Sequence, residues 1–131
     1  MTTTSASDPV LIDSSGWLEY ITSDTKAGLF DPYIRGEGGR SILVPTIVLY
    51  EVRKILLWRK AASAADRFVS QALLHTVVPI DHVIALSAAA ISIQSGLAMA
   101  DALLYAIVEK LGAELVTSDV HFKGLPRVTL L

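Results

Sequence analysis

The 131-residue chain contains no cysteine. That absence removes disulfides, thiolate metal sites and a thiol nucleophile, and it suits a reducing compartment, with the cytoplasm as the expectation. Charge of one sign is also lacking: 11 Lys and Arg against 13 Asp and Glu leave a formal net charge of −2. The broad basic field of a double-helix binder is therefore missing, and any nucleic-acid contact must be local. No unbroken run of about 20 apolar residues is present to span a bilayer. The richest stretch, Val83 to Val108, is interrupted by Gln94, Ser95, Gly96 and Asp101, so it reads as two helices rather than one span, with no membrane partner expected. Met1 to Ser7 has neither a basic leader nor the apolar core of a secretory signal. Residues 1–8 are expected to be a flexible tail before one domain over 9–131. A phosphate-cradling loop is excluded too, because Gly36 to Gly39 lacks the following Lys-Ser/Thr.

What the chain does have is apolar character, 52% by residue type with a mean hydropathy of +0.51. A single core of this size should leave some apolar helical surface for a neighbouring element or a second subunit. Short β-branched runs alternate with longer helical stretches, the pattern of one α/β domain. The predicted strands are Val10 to Ile12, Ser41 to Val44, Val77 to Ile80, Glu114 to Thr117 and Arg127 to Leu130. Helices are predicted over Ser14 to Tyr20, capped by Ser14 or Ser15, and over Asp24 to Ile34, bent or ended at Asp31-Pro32. Four more follow: Thr46 to about Lys60, Ala61 to about His75, His82 to Ser95 behind an Asp81 cap, and Met99 to Leu111 before Gly112. The resulting fold class is a three-layer α/β/α domain with a mainly parallel central sheet of about five strands.

Four carboxylates occupy positions that ask for an explanation. Asp13 and Asp119 each follow a predicted strand. Glu51 shares a helical face with Val48, Ile55 and Trp58, and Asp101 shares one with Leu104, Tyr105 and Val108. An ionised carboxylate against apolar neighbours needs a cation, a hydrogen-bonded partner or a wet pocket. For Glu51, a salt bridge with Arg53 or Lys54 is one solution; for Asp13, a helix cap or turn is another. The carboxyl ends of parallel strands form a common ligand crevice, and four acids meeting there would suit a hard cation such as Mg²⁺ or Mn²⁺.

The stretches Leu11-Ile12-Asp13-Ser14-Ser15, Val48-Leu49-Tyr50-Glu51-Val52, Ala100-Asp101-Ala102-Leu103 and Val116-Thr117-Ser118-Asp119-Val120-His121-Phe122, in that order and spacing, resemble the PIN-domain ribonucleases. Within them they look most like the VapC-like toxins of toxin–antitoxin pairs. The resemblance runs from about Pro9 to Leu130, and no acidic position of the family pattern is missing. It implies that Asp13, Glu51, Asp101 and Asp119 are the catalytic residues and hold one or two Mg²⁺ or Mn²⁺ ions, some through water. It further implies that the hydroxyls of Ser15 and Thr117 help order that shell. The implied activity is metal-dependent endoribonuclease cleavage of single-stranded or looped RNA, leaving a 3′-hydroxyl and a 5′-phosphate. The implied partners are a VapB-like antitoxin and a second copy of the chain in a homodimer, with Leu18, Leu29, Phe30, Ile55 and Leu56 as candidates for the antitoxin groove.

Other readings remain open at the level of sequence. A receiver-like signalling module would also carry an acidic pocket, with Asp81 after the third strand, but it leaves the helical acids unexplained. A PIN-fold RNA-processing protein, or an interaction protein that has lost catalysis, is the other alternative. Serine chemistry lacks a Gly-x-Ser-x-Gly elbow, and His75, His82 and His121 show no metal-ligand spacing. Arg53, Lys54, Arg59, Lys60, Arg67, Lys123 and Arg127 are candidates for a phosphate-tracking patch. Trp17, Tyr20, Trp58, Tyr105 and Phe122 could stack bases, although Trp58 and Tyr105 continue apolar stripes and are expected in the core.

Overall fold

The computed structural model describes residues 4–131. The first three residues of the expected tail lie outside the described residues. From Ser5 the chain makes a turn in which Asp8 N–H donates to the Ser5 carbonyl at 3.0 Å. The turn is tied down where Arg127 reaches the Asp8 carboxylate at 3.2 Å and Arg40 Nε donates to the Asp8 carbonyl at 2.8 Å.

The elements are β1 (Val10–Ile12), α1 (Ser14–Ile21), α2 (Ala27–Ile34), β2 (Ile42–Pro45), α3 (Thr46–Trp58), α4 (Ala62–Ala72), β3 (Thr76–Val78), α5 (His82–Ser95), α6 (Met99–Leu111), β4 (Glu114–Thr117) and β5 (Val128–Leu130). The strands pair in the order β3-β2-β1-β4-β5, and every pair is parallel. α1 packs against α2, α3 and α4, while α5 packs against α6, giving the three-layer α/β/α arrangement. The central strands β1, β2 and β4 are buried along their whole length. Covered on both faces, they need unbroken apolar runs rather than alternation, which is what Val10-Leu11-Ile12 and Ile42-Leu43-Val44 provide.

Several boundaries differ from expectation for identifiable reasons. Asp13, not Ser14 or Ser15, caps α1, its Oδ1 accepting from Gly16 N–H at 3.1 Å. That leaves both serine hydroxyls for other bonds. α2 runs through Pro32 to Ile34; a proline in the last turn removes one backbone bond, and the helix ends before a second is needed. α4 stops at Ala72 and β3 spans Thr76–Val78, each a little earlier than the apolar pattern suggests. Trp58 is 81% exposed rather than in the core. The buried stripe of α3 is Val48, Val52 and Leu56, and at about 100° per residue Trp58 lies roughly 200° around the helix from Leu56. Tyr105, by contrast, is buried as expected.

No single helix among the described residues is long and apolar enough to cross a membrane; α5 and α6, the most apolar pair, meet at a bend of 112°. Their outer surface exposes Val83, Leu86, Ile93 and Met99, the apolar helical surface anticipated from composition.

One residue controls how closely the layers meet beneath β1. Gly16 is buried in α1, and a Cβ there would lie 2.6 Å from the Phe30 ring and 2.7 Å from Ile12 Cγ2. Neither neighbour can move freely, because Phe30 and Ile12 are both fully buried. Gly16→Ala is expected to destabilise the fold by about 2 kcal/mol, the usual scale of overpacking, despite the better helix propensity of alanine. Urea unfolding checks it, and an unchanged or raised midpoint would contradict the close packing.

Candidate functional site

The strand order changes direction between β1 and β4: from β1 the chain builds outward through β2 to β3, then returns to place β4 on the other side of β1. Such a switch point opens a crevice at the carboxyl ends of the strands. Ile12 is in register with Val116, so Asp13 and Thr117 emerge side by side.

Asp13 is 5% exposed. Its Oδ2 accepts from Thr117 Oγ1 at 2.6 Å, and its Oδ1 accepts from Ser15 Oγ at 2.8 Å as well as from the Gly16 amide. Burial pushes its pKa up; the bonds from Thr117, Ser15 and Gly16 pull it back, and the charge of Asp119 adds to the rise. Thr117, itself fully buried, also accepts from Asp119 N–H at 2.9 Å. One hydroxyl therefore links the two strand-end acids. Ser15 Oγ lies 3.3 Å from Ser118 Oγ, extending the hydroxyl chain to the loop after β4.

Glu51 and Asp101 approach from the helices. Glu51 Oε1 accepts from Ser14 Oγ at 2.7 Å, so the bond to Ser14 replaces the anticipated salt bridge; Arg53 instead meets Asp66 at 3.1 Å. Asp101 sits half-buried in the first turn of α6, where the helix dipole favours an anion. Its pKa is nevertheless raised, first by burial and then by the charge of Asp119, with Asp13 and Glu51 adding to it and His121 opposing. Asp101 thus feels the charge of each of the other three acids. Asp119 Oδ1 accepts from the His121 backbone N–H at 2.9 Å and meets the ring Nδ1 at 2.8 Å. Asp101, Asp119 and His121 offer donor atoms that all lie within 4.8 Å of one another. Among the described residues, no Lys or Arg forms an ion pair with any of the four acids.

The family model described as "PIN domain" matches residues 10–128. The chain belongs to the PIN-domain family. No curated protein sequence matches it, but the PIN fold is shared with solved structures at low identity. A toxin–antitoxin complex from Klebsiella pneumoniae superposes with a TM-score of 0.71 at 20% identity, over 92% of this chain and 95% of that one. VapC20 of Mycobacterium tuberculosis, described as a sarcin-ricin loop cleaving toxin, gives 0.70 at 18% identity, over 86% and 92%. VapBC2 of Rickettsia felis, bound to a promoter DNA fragment, gives 0.70 at 16% identity, over 93% and 96%.

The donor set of this PIN domain fits a divalent cation. Its carboxylate oxygens suit hard ions, and the pKa of Asp101, raised first by burial, is raised further by the charges of Asp119, Asp13 and Glu51. Two residues were not singled out from sequence. Ser14 had been considered as a cap or nucleophile, and only the fold brings it to Glu51. His121 shows no metal-ligand spacing in the sequence, only nearness to Asp119; the short 3-10 turn Val120–Phe122, capped by Asp119 and anchored by fully buried Phe122, presents it to the acids.

Other candidates fall elsewhere. Phe30 and Leu56 are fully buried core residues and leave Leu18, Leu29 and Ile55 as the groove candidates. Trp17, Tyr105 and Phe122 are buried and Trp58 is exposed. Arg127 is committed to Asp8 and the Gly112 carbonyl, and Lys54 lies over the Tyr50 ring at 5.4 Å. His75 packs beside Trp17, with ring centroids 6.2 Å apart, and burial lowers its pKa.

Two outcomes follow from this geometry. Thr117→Val keeps the shape of the side chain but strips Asp13 of a donor and the Asp119 amide of its acceptor. The expected loss is about 2 kcal/mol of stability, read by denaturant unfolding; a loss below ~0.5 kcal/mol would contradict the linkage. A second concerns pH in the metal-free protein. Because the folded pKa of Asp101 lies above its unfolded value, the folded state binds more protons in that window, and this contribution to stability falls as pH rises. Asp101→Asn removes the penalty. In EDTA its Tm should match wild type near pH 4 and exceed it by about 2 °C at pH 7.5; a difference that shrinks with rising pH would reverse the sign argued here.

Proposed function

We propose that this PIN-domain protein is a divalent-cation-dependent endoribonuclease of the VapC-like toxin kind. The reading is supported by the charges of Asp13, Glu51 and Asp119 acting on Asp101, from four separate stretches of chain near the carboxyl ends of β1 and β4, with no Lys or Arg among the described residues paired to these acids. These four residues would hold Mg²⁺ or Mn²⁺. The bound cation would lower the pKa of its water and place positive charge against the scissile phosphate. The protein's own part is positional: Ser15 and Thr117 hold Asp13, Thr117 aligns Asp119, and Ser14 holds Glu51. No protein nucleophile is required, and hydrolysis leaves a 3′-hydroxyl and a 5′-phosphate.

RNA as the substrate is supported by the family resemblance of the motifs and by the likeness of the fold to a toxin that cleaves the sarcin-ricin loop. An antitoxin partner is supported by the toxin–antitoxin complexes among the structural neighbours. Self-association is in keeping with the exposed Val83, Leu86, Ile93 and Met99, and the cytoplasm is the compartment proposed for the whole system. The receiver-like alternative loses its key residue. Asp81 caps α5 by accepting from Ile84 N–H at 2.9 Å and faces Lys110 at 3.7 Å, after the edge strand β3 rather than at the switch point.

The test is cleavage of a labelled stem-loop RNA by the purified protein with Mg²⁺ or Mn²⁺. Cleavage giving 5′-phosphate ends, abolished by EDTA and reduced at least ~100-fold by Asp13→Asn and by Asp101→Asn, is expected on the scale of losing a metal-shell group. Cleavage that survives chelation and both substitutions would remove the assignment.

A further inference from the structure

We infer that His121 is a nitrogen ligand of the cation held at Asp101 and Asp119, and that it turns the site toward Mn²⁺ and away from Mg²⁺. The inference rests on the proposed cation site but adds a residue and a choice of metal that the four carboxylates alone do not supply.

On a six-coordinate ion with bonds of about 2.1 Å, adjacent donors lie roughly 3 Å apart and opposite donors roughly 4.2 Å. His121 Nδ1 and Asp119 Oδ1 are separated by 2.8 Å, a hydrogen bond whose proton a cation would displace and close to the length of such an edge. Asp101 completes a set whose donor atoms fall within 4.8 Å of one another, close enough for side-chain rotation to bring all three onto one ion. The imidazole is also held in place. Its backbone N–H is bonded to the same Asp119 oxygen at 2.9 Å, and the next residue, Phe122, is locked in the core. The ring itself is 75% exposed, so its desolvation on binding a cation is modest.

Chemistry then separates the ions. Carboxylates serve Mg²⁺ and Mn²⁺ alike, whereas imidazole suits first-row transition ions, and Mg²⁺ keeps oxygen ligands and its own water. A site of two carboxylates and one imidazole should therefore discriminate between ions that an all-oxygen site would take almost equally.

The experiment uses the full chain loaded with Mn²⁺ alone. Electron spin-echo spectroscopy should show modulation from a directly bound ¹⁴N, and His121→Ala should abolish it; the exposed ring lets that variant keep its fold, and His121→Asn, which restores an oxygen donor, should also lack it. Calorimetric titration should show Mn²⁺ binding at least ~10-fold tighter than Mg²⁺, with His121→Ala weakening Mn²⁺ about 10-fold and Mg²⁺ less than ~2-fold. Absence of nitrogen modulation in the wild type, its persistence in His121→Ala, failure to bind Mn²⁺, or equal weakening of both ions would overturn the inference. Mn²⁺ bound through nitrogen without RNA cleavage would instead overturn the nuclease reading and leave this one standing.

Discussion

The arrangement that the rest of the molecule serves is a concentration of like charge. Asp13, Asp101 and Asp119 act on one another electrostatically, Glu51 acts on Asp101, and among the described residues no Lys or Arg is paired to the group. The opposite end of the same sheet is built in the contrary way. There Glu114 meets Arg40 at 2.7 Å and also accepts from Thr129, while Asp8 meets Arg127. The chain pairs Asp8 and the buried Glu114 with guanidinium groups at one end of its sheet, and at the other end no such pair is formed among the described residues. Neutral hydroxyls from Ser14, Ser15 and Thr117 do the orienting at the acidic edge. A hydroxyl can donate one hydrogen bond without cancelling the charge, so the carboxylates are fixed in direction and remain available to an incoming cation.

That orientation depends on packing some distance from the charges. Asp13 is both the end of β1 and the cap of α1, so its carboxylate direction is set by the angle at which α1 leaves the sheet. Gly16 lets α1 lie against Ile12 and Phe30 at a distance no side chain would permit. The parallel pairing of β1 with β4 then brings Thr117 to the other carboxylate oxygen. Backbone close approach, helix cap and strand register thus converge on one side chain, and a shift in any of them re-aims it.

Much of this was legible in the sequence because the relevant signals are local. Continuous apolar triplets and quartets mark the buried strands, Gly96 and Gly112 stop α5 and α6 where expected, and the four acids stand out as charges at apolar boundaries. Trp58 misled because an i, i+3, i+4 pattern allows more than one stripe on α3, and only the contacts of Val52 and Leu56 decide which faces inward. Ser14 and His121 were harder still. Ser14 is 37 residues from Glu51 in sequence, and the short turn that carries His121 has too few residues for periodicity to reveal. Their roles come from strand order and register, which no single window of sequence contains.

The balance between folding and function is therefore set at the crevice between β1 and β4. Like charges gathered in a partly dry site weaken the folded state as pH rises through the raised pKa values of Asp13 and Asp101. A ligand that binds the assembled cluster but not the unfolded chain returns that stability by mass action. In the unfolded chain Asp13 and Asp119 are separated by more than one hundred residues and offer a cation no common site. On the proposed reading, the strain of assembling the acids and the affinity for a divalent ion are two aspects of one electrostatic term, and a substitution that relieves the first would weaken the second.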